Sequence, residues 1–144
     1  MVKPRVLFLC THNSARSQIA EAFLRKYAGD RFDVYSAGLE PTAIHPLARE
    51  VLEEIGFDIS RQYSKDLAQF LGKIHFGYLI TVCARAESEC PIFPGVSIRF
   101  HWPIEDPAAF EGTDEEKLTK FREIRDQIDE RIKSWLREVS STGQ

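Results

Sequence analysis

Four short runs rich in apolar, β-branched or aromatic residues, Val6 to Cys10, Phe32 to Tyr35, Phe76 to Cys83 and Val96 to Phe100, alternate in this chain with segments of helical periodicity. Runs of that length suit strands. Between them, Ser14 to Tyr27 places Ile19, Ala20, Phe23, Leu24 and Tyr27 on one face. Pro46 to Ile55 repeats the pattern with Leu47, Val51, Leu52 and Ile55 before a Gly56 stop. A third helix is expected over Lys65 to Leu71, ending at Gly72. The last is announced by Thr113 with Glu116, a capping-box pair, and carries Leu118, Phe121, Ile128, Ile132, Trp135 and Val139 as a stripe to about Glu138. Strands alternating with helices predict a parallel sheet joined by right-handed crossovers and covered on both faces. The expected fold class is therefore α/β: a single-domain, three-layer α/β/α arrangement around a four-stranded parallel sheet. In such sheets ligands bind outside the carboxyl ends of the strands, where the winding direction switches. Cys10 and Cys83 each end an apolar run, so both are expected at that edge.

A chain of 144 residues is long enough to bury a core without disulfide or metal staples. The reading is one domain over residues 1–139, with 140–144 as a flexible tail and a monomer as the working form. With 19 Lys plus Arg against 22 Asp plus Glu, the formal charge of -3 gives no support to a nucleic-acid or anionic-membrane surface. Any anion must be held locally. The N-terminal MVKPRVLFLC is too short for a membrane span and lacks a signal-peptide cleavage site, which points to the cytoplasm.

The stretch CTHNSARSQ, Cys10 to Gln18, follows directly on the run RVLFL. A strand thus delivers a cysteine to a loop whose N–H groups can point inward, and the following helix adds its positive N-terminal dipole. An oxyanion fits there, and the same field favours the thiolate, the nucleophilic form of cysteine. Arg16 can clamp two oxygens of a tetrahedral oxyanion with its planar fork. Asn13 tolerates the left-handed conformation that a tight loop demands, and the Ser17 hydroxyl can donate toward the Cys10 sulfur. The loop Thr11, His12, Asn13, Ser14, Ala15, Arg16 and Ser17 is thus the candidate oxyanion site for a phosphate-like ligand. Ordinary capping by Asn13 or Ser14 with an exposed Arg16 is the plainer alternative.

Cys83 and Cys90 are open to three readings. Cys83, at the end of a buried run, suits a structural role. Cys90 lies in the polar segment ARAESEC, where a lone thiol is oxidisable unless it serves redox chemistry. Zinc is the third option, but cysteines at 10, 83 and 90 lack paired ligand spacing, and His101 stands alone. No metal is expected.

CTHNSARSQ, together with YSAGLEP (Tyr35 to Pro41), CARAESECP (Cys83 to Pro91) and HWPIEDPA (His101 to Ala108), resembles the thioredoxin-coupled arsenate reductases, which share the low-molecular-weight tyrosine phosphatase fold. The resemblance covers nearly the whole chain and implies that fold here. It implies that Cys10 attacks arsenate, that Arg16, Asn13 and Ser17 serve the loop, and that Asp106 in EDP is the general acid. A residue before proline is held extended, and a carboxylic acid there can protonate a departing oxygen. The resemblance further implies a relay in which Cys83 attacks Cys10 and Cys90 then attacks Cys83, the disulfide being reduced by thioredoxin. No cofactor would be bound, and the electrons would come from thioredoxin and ultimately NADPH. Phosphate and sulfate would compete with arsenate, and a weak phosphatase side activity is implied. The alternatives are a low-molecular-weight tyrosine phosphatase and a non-enzymatic redox or oxyanion sensor. The chain departs from the family pattern at His12, where glycine is common, and at Ala15, where a second loop cysteine is often present. A third departure is Lys65, which replaces an aspartate that completes a potassium site with residues matching Asn13, Glu21 and Ser36. An ammonium there disfavours a cation. Finally, if ARAESE is helical in the reduced protein, cysteines seven apart lie about 10 Å apart along the axis, too far for a disulfide. The segment would have to unwind on oxidation.

Overall fold

The computed structural model describes residues 3–70, 72–89 and 96–141. Strand β1 (Arg5–Cys10) is wholly buried from Val6 to Leu9, as befits a central strand with partners on both edges and helices over both faces. It pairs in parallel with β2 (Asp33–Gly38) on one side and β3 (Phe76–Thr81) on the other, and β3 pairs in parallel with β4 (Val96–His101). The sheet order is β2-β1-β3-β4. The chain therefore winds outward from β1 to β2 and then reverses to reach β3. Right-handed crossovers place the two connections on opposite faces, and the reversal opens a crevice beyond the carboxyl ends of β1 and β3.

Helix α1 (Arg16–Ala28) packs on α4 (Asp114–Ser141) and on α2 (Pro46–Glu53), while α3 (Ala84–Glu89) lies against β1 and β3. The capping box of α4 forms as expected: the Thr113 N–H donates to Glu116 Oε1 at 2.9 Å, and the Glu116 N–H to Thr113 Oγ1 at 3.1 Å. Trp135 of α4 meets Phe32, Tyr78 and Trp102 in an aromatic cluster that ties the long helix to the sheet. The helix reaches Ser141, beyond the expected Glu138, and the rest of the expected tail, 142–144, lies outside the described residues.

Several bounds differ from the sequence reading, β2 among them, which runs to Gly38 and not Tyr35, and two differences bear on the site. Of the helix expected over Lys65 to Leu71, the described residues 65–70 form a single 3-10 turn, Leu67–Gln69, and Leu71 lies outside them. The segment's first residues are taken by tertiary bonds: the Lys65 N–H donates to Asn13 Oδ1, the Lys65 carbonyl accepts from Gly38, and Asp66 is extended and bridges to Gly38. A backbone committed to a neighbouring loop cannot also make a helix. The third strand ends at Thr81, so Cys83 is not its last residue but sits two positions beyond it, at the start of α3.

Candidate active site

Cys10, the last residue of β1, passes the chain into the loop 11–15, and α1 begins at Arg16. Every carbonyl of residues 10–15 is bonded away from the loop's centre. Those of Cys10, Thr11, His12 and Ser14 accept from the amides of Leu39, Glu40, Thr42 and His45, at 3.2, 2.8, 3.0 and 2.9 Å. That of Asn13 accepts from Gln18 Nε2 and Ser64 Oγ, and that of Ala15 from the Ile19 amide. With the carbonyls outward, the loop amides are left to face the centre, joined by the orphan amides of the first turn of α1. This is the geometry of an anion cradle.

The strap 39–45 can lie this close because residue 38 is glycine. A Cβ there would stand 2.8 Å from the Asn13 nitrogen and 2.9 Å from both the His12 carbonyl carbon and the Thr11 oxygen. The one positive φ among the described non-glycine residues falls on Asn13, at 50°. His12, the departure from the family glycine, is exposed and needs no unusual conformation; its Nδ1 lies 2.9 Å from the Glu40 carbonyl oxygen.

The hydrogen bonds around Cys10 can be oriented from one backbone amide. The Lys65 N–H must donate, so the atom it meets at 2.9 Å is the Asn13 side-chain oxygen. The Asn13 NH2 then faces Ser17 Oγ at 2.7 Å and donates to it. The Ser17 hydrogen is thereby free to point at Cys10 Sγ, 2.9 Å away, and the Asn13 N–H also reaches that sulfur at 3.2 Å. Two donors thus converge on the buried Cys10 sulfur.

Arg16 projects into the same crevice with its guanidinium braced by the Ile104 carbonyl at 2.9 Å and by Asp106 Oδ2 at 3.7 Å. Asp106 is extended before Pro107 (φ -79°, ψ 107°), as its position requires, and Oδ1 caps the turn that follows by accepting from the Ala108 amide. Opposite, buried Cys83 caps α3. The Ala86 N–H donates to Cys83 Sγ at 3.4 Å, and Thr11 Oγ1 of the loop lies 3.4 Å from the same sulfur. The first two cysteines thus share the edge, and β1 and β3 are adjacent. Cys90 lies outside the described residues.

Behind the loop, Lys65 Nζ stands 3.6 Å from Glu21 Oε1 and donates to the Tyr63 carbonyl at 2.6 Å, while Ser36 Oγ donates to Glu21. Burial pushes the Lys65 amine below its ordinary range, and the Glu21 carboxylate opposes that shift. The ammonium therefore stands beside Glu21, one of the side chains that resemblance assigns to a potassium ion, where its charge repels a second cation. Among the described residues no three His, Cys, Asp or Glu side chains gather as a metal site, and His101 instead bonds Thr81 Oγ1 at 2.9 Å.

The site depends on parts to which sequence reasoning gave no role: the strap 39–45 and Gly38, which the motif YSAGLEP enters without a function, and the Lys65 main chain. Only Gly38, a glycine closing an apolar run, left a signal. The others act through backbone groups that every residue carries.

The comparisons agree with this geometry. The model of the low molecular weight phosphotyrosine protein phosphatase family matches residues 5–144. An arsenate reductase of Halalkalibacterium halodurans is 47% identical over 135 residues, covering 94% of this chain and 96% of that protein. One from Bacillus subtilis is 40% identical over 139 residues, 96% of each. Among solved structures, an arsenate reductase in the phosphate binding state superposes with a TM-score of 0.78 at 32% identity, covering 94% of this chain and 98% of that one. A Corynebacterium glutamicum thioredoxin-dependent arsenate reductase gives 0.73 at 35% identity, over 97% of this chain and 63% of the other. An Erwinia amylovora tyrosine phosphatase at 19% identity, TM-score 0.75, shares the fold. The chain belongs to the low-molecular-weight phosphotyrosine protein phosphatase family, and within it to the arsenate reductases.

Proposed function

We propose that this protein reduces arsenate to arsenite with thiols of its own and is regenerated by thioredoxin. The observation that carries the reading is the placement of two thiols around one oxyanion loop. Cys10 Sγ is held by Asn13 and Ser17 inside the loop, and Cys83 Sγ lies 3.4 Å from the loop's Thr11 hydroxyl. In the first step the Cys10 thiolate attacks arsenate held by the loop amides and Arg16, and Asp106 protonates the departing oxygen, which leaves as water. The Cys83 thiolate then attacks Cys10 sulfur. The sulfur–arsenic bond breaks, its electron pair goes to arsenic, and arsenite departs as a Cys10–Cys83 disulfide forms. Cys90 attacks Cys83 in turn, releasing the Cys10 thiolate and leaving a Cys83–Cys90 disulfide for thioredoxin.

The reductase of Corynebacterium glutamicum that this chain resembles is described as thioredoxin-dependent, which supports that partner; NADPH as the ultimate donor belongs to the same reading. The proposed setting is the cytoplasm; no described helix is long and apolar enough to cross a membrane. The test is an arsenate-dependent assay with thioredoxin, thioredoxin reductase and NADPH, run beside p-nitrophenyl phosphate hydrolysis. NADPH oxidation that depends on arsenate, with phosphate-ester hydrolysis far slower, is expected. NADPH oxidation indifferent to arsenate would overturn the reading.

A further inference from the structure

Helix α3 separates Cys83 from Cys90, and at six residues it is too short to be stable alone. Its stability must come from tertiary contacts: Ala86 is buried in the core, and among the described residues two sets of polar contacts hold its side chains. On one side Arg85 grips Glu40 fork to fork, with Nη1 2.9 Å from Oε2 and Nη2 2.9 Å from Oε1. On the other, Glu87 accepts from Thr81 Oγ1 and lies 3.6 Å from His101 Nδ1 and 3.5 Å from Arg99 Nη2, which also bonds the Glu87 carbonyl at 3.0 Å.

Glu40 differs from the other anchors in where it is rooted. Its N–H donates to the Thr11 carbonyl at 2.8 Å, and its own carbonyl faces His12 Nδ1 at 2.9 Å. One residue thus bonds the oxyanion loop through its main chain and α3 through its carboxylate. It joins the site of the first chemical step to the element that must move for the last.

We propose that Glu40 and Arg85 are positioning residues of the thiol relay. Their ion pair keeps α3 wound, with Cys83 at its cap and facing the oxyanion loop, until Cys83 has reacted. The inference rests on the relay proposed above. Once Cys83 sulfur is bonded to Cys10 it must serve that bond as well as the Ala86 amide it meets at 3.4 Å, and a disulfide sulfur is a poor acceptor, so the cap weakens and the side-chain ties govern how readily the helix opens. Opening lets the Cys90 thiolate attack Cys83. A Cys83–Cys90 bond forms, the Cys10–Cys83 bond breaks, Cys10 leaves as thiolate, and the step is neutral in electrons. The pair is exposed but bidentate, so loosening it should shift the helix equilibrium by about two- to tenfold.

The experiment compares the full-length wild type with Glu40→Gln, Arg85→Met and the charge-exchanged double variant Glu40→Arg/Arg85→Glu. In the reduced protein, amide exchange over 84–89 should quicken by about two- to tenfold in each single variant and slow again in the exchanged pair, with Val6 to Leu9 unmoved. In a single turnover without thioredoxin, the Cys83–Cys90 disulfide should appear faster by a similar factor in Glu40→Gln. The KM for arsenate should stay within about twofold, a split that general damage to the fold would not produce. Unchanged exchange over 84–89 in both single variants would overturn the proposal, as would a raised KM with no gain in the rate of disulfide transfer. Cys83→Ser separates the two levels. Full thioredoxin-coupled turnover in that variant overturns the relay and this proposal with it. Loss of turnover there, beside an unaltered Glu40→Gln, overturns this proposal alone.

Discussion

The oxyanion loop and α3 flank one crevice and are held in opposite ways. The loop is pinned through its backbone: each carbonyl from Cys10 to Ala15 has a donor outside the loop, and Asn13 and Gly38 accept the conformation and the contact distance that this requires. α3 buries Ala86 in the core but is otherwise tied through side chains, with Glu40 and Arg85 exposed and Arg99, His101 and Glu87 partly exposed. Backbone bonds in a buried loop are costly to break, whereas exposed ion pairs contribute little each. The difference matches two demands of the chemistry. A site that stabilises charge must be preorganised, and a segment that carries a disulfide away must be releasable.

The cysteines give the largest effects and probe the contrast most directly. Cys10→Ser should reduce arsenate reduction and any phosphate-ester hydrolysis to background, because both begin at the same thiolate. Cys83→Ser and Cys90→Ser should lose thioredoxin-coupled turnover while keeping ester hydrolysis, which needs the loop and not α3. Equal loss of both activities in Cys90→Ser would assign that residue a structural role. Next comes Asp106→Asn, which should slow the first step by roughly 10²- to 10⁴-fold, with loss of the limb of the pH–rate profile that reports the acid. An unaltered profile would remove Asp106 from the mechanism.

Gly38→Ala tests the rigidity of the loop without touching a reacting group. Its Cβ would meet three backbone atoms within 2.9 Å, and backbone cannot swing aside as a flexible side chain can. A cost of about 1 to 3 kcal/mol is expected, with weaker phosphate binding by titration calorimetry. Normal affinity at normal stability would show that the strap is not needed to shape the cradle.

The alternation of strands and helices, the switch point and the cysteine–arginine loop were legible because each rests on a residue type with a local preference. Asn13 is such a case: an amide side chain tolerates the left-handed region, and the φ of 50° falls on that residue. The helix expected over Lys65 to Leu71 failed for the complementary reason. Its helical propensity competed with bonds to Asn13 and Gly38, residues far away in sequence, and lost to them. The role of the strap 39–45, whose first residues fall in the motif YSAGLEP, was not legible for a third reason. The strap acts through main-chain amides, which leave no mark on residue identity. The end of β3 was misjudged by two residues because Val82 and Cys83 are apolar and buried whether or not they pair in the sheet.

The smallest effect concerns His45, whose amide holds the Ser14 carbonyl while its Nδ1 caps α2 by accepting from Leu47. Burial pushes its pKa below the ordinary 6.5, against the attraction of Asp106, so the folded state favours the neutral ring that can accept. The stability this contributes is fully present above pH 6.5 and is lost as pH falls below that value toward the folded-state pKa. Thermal unfolding should show a shallow decline below that pH which His45→Asn, an alternative cap, lacks. The same slope in both proteins would show that another group titrates.

If electrons leave a fixed loop through a movable segment, a single turnover will show where the disulfide comes to rest. Reduced full-length protein given one equivalent of arsenate and no thioredoxin should release one equivalent of arsenite. Peptide mapping should then find Cys83 joined to Cys90 and Cys10 returned to a free thiol. Arsenite release with Cys10 still oxidised and Cys90 free, or no arsenite at all, would contradict the account.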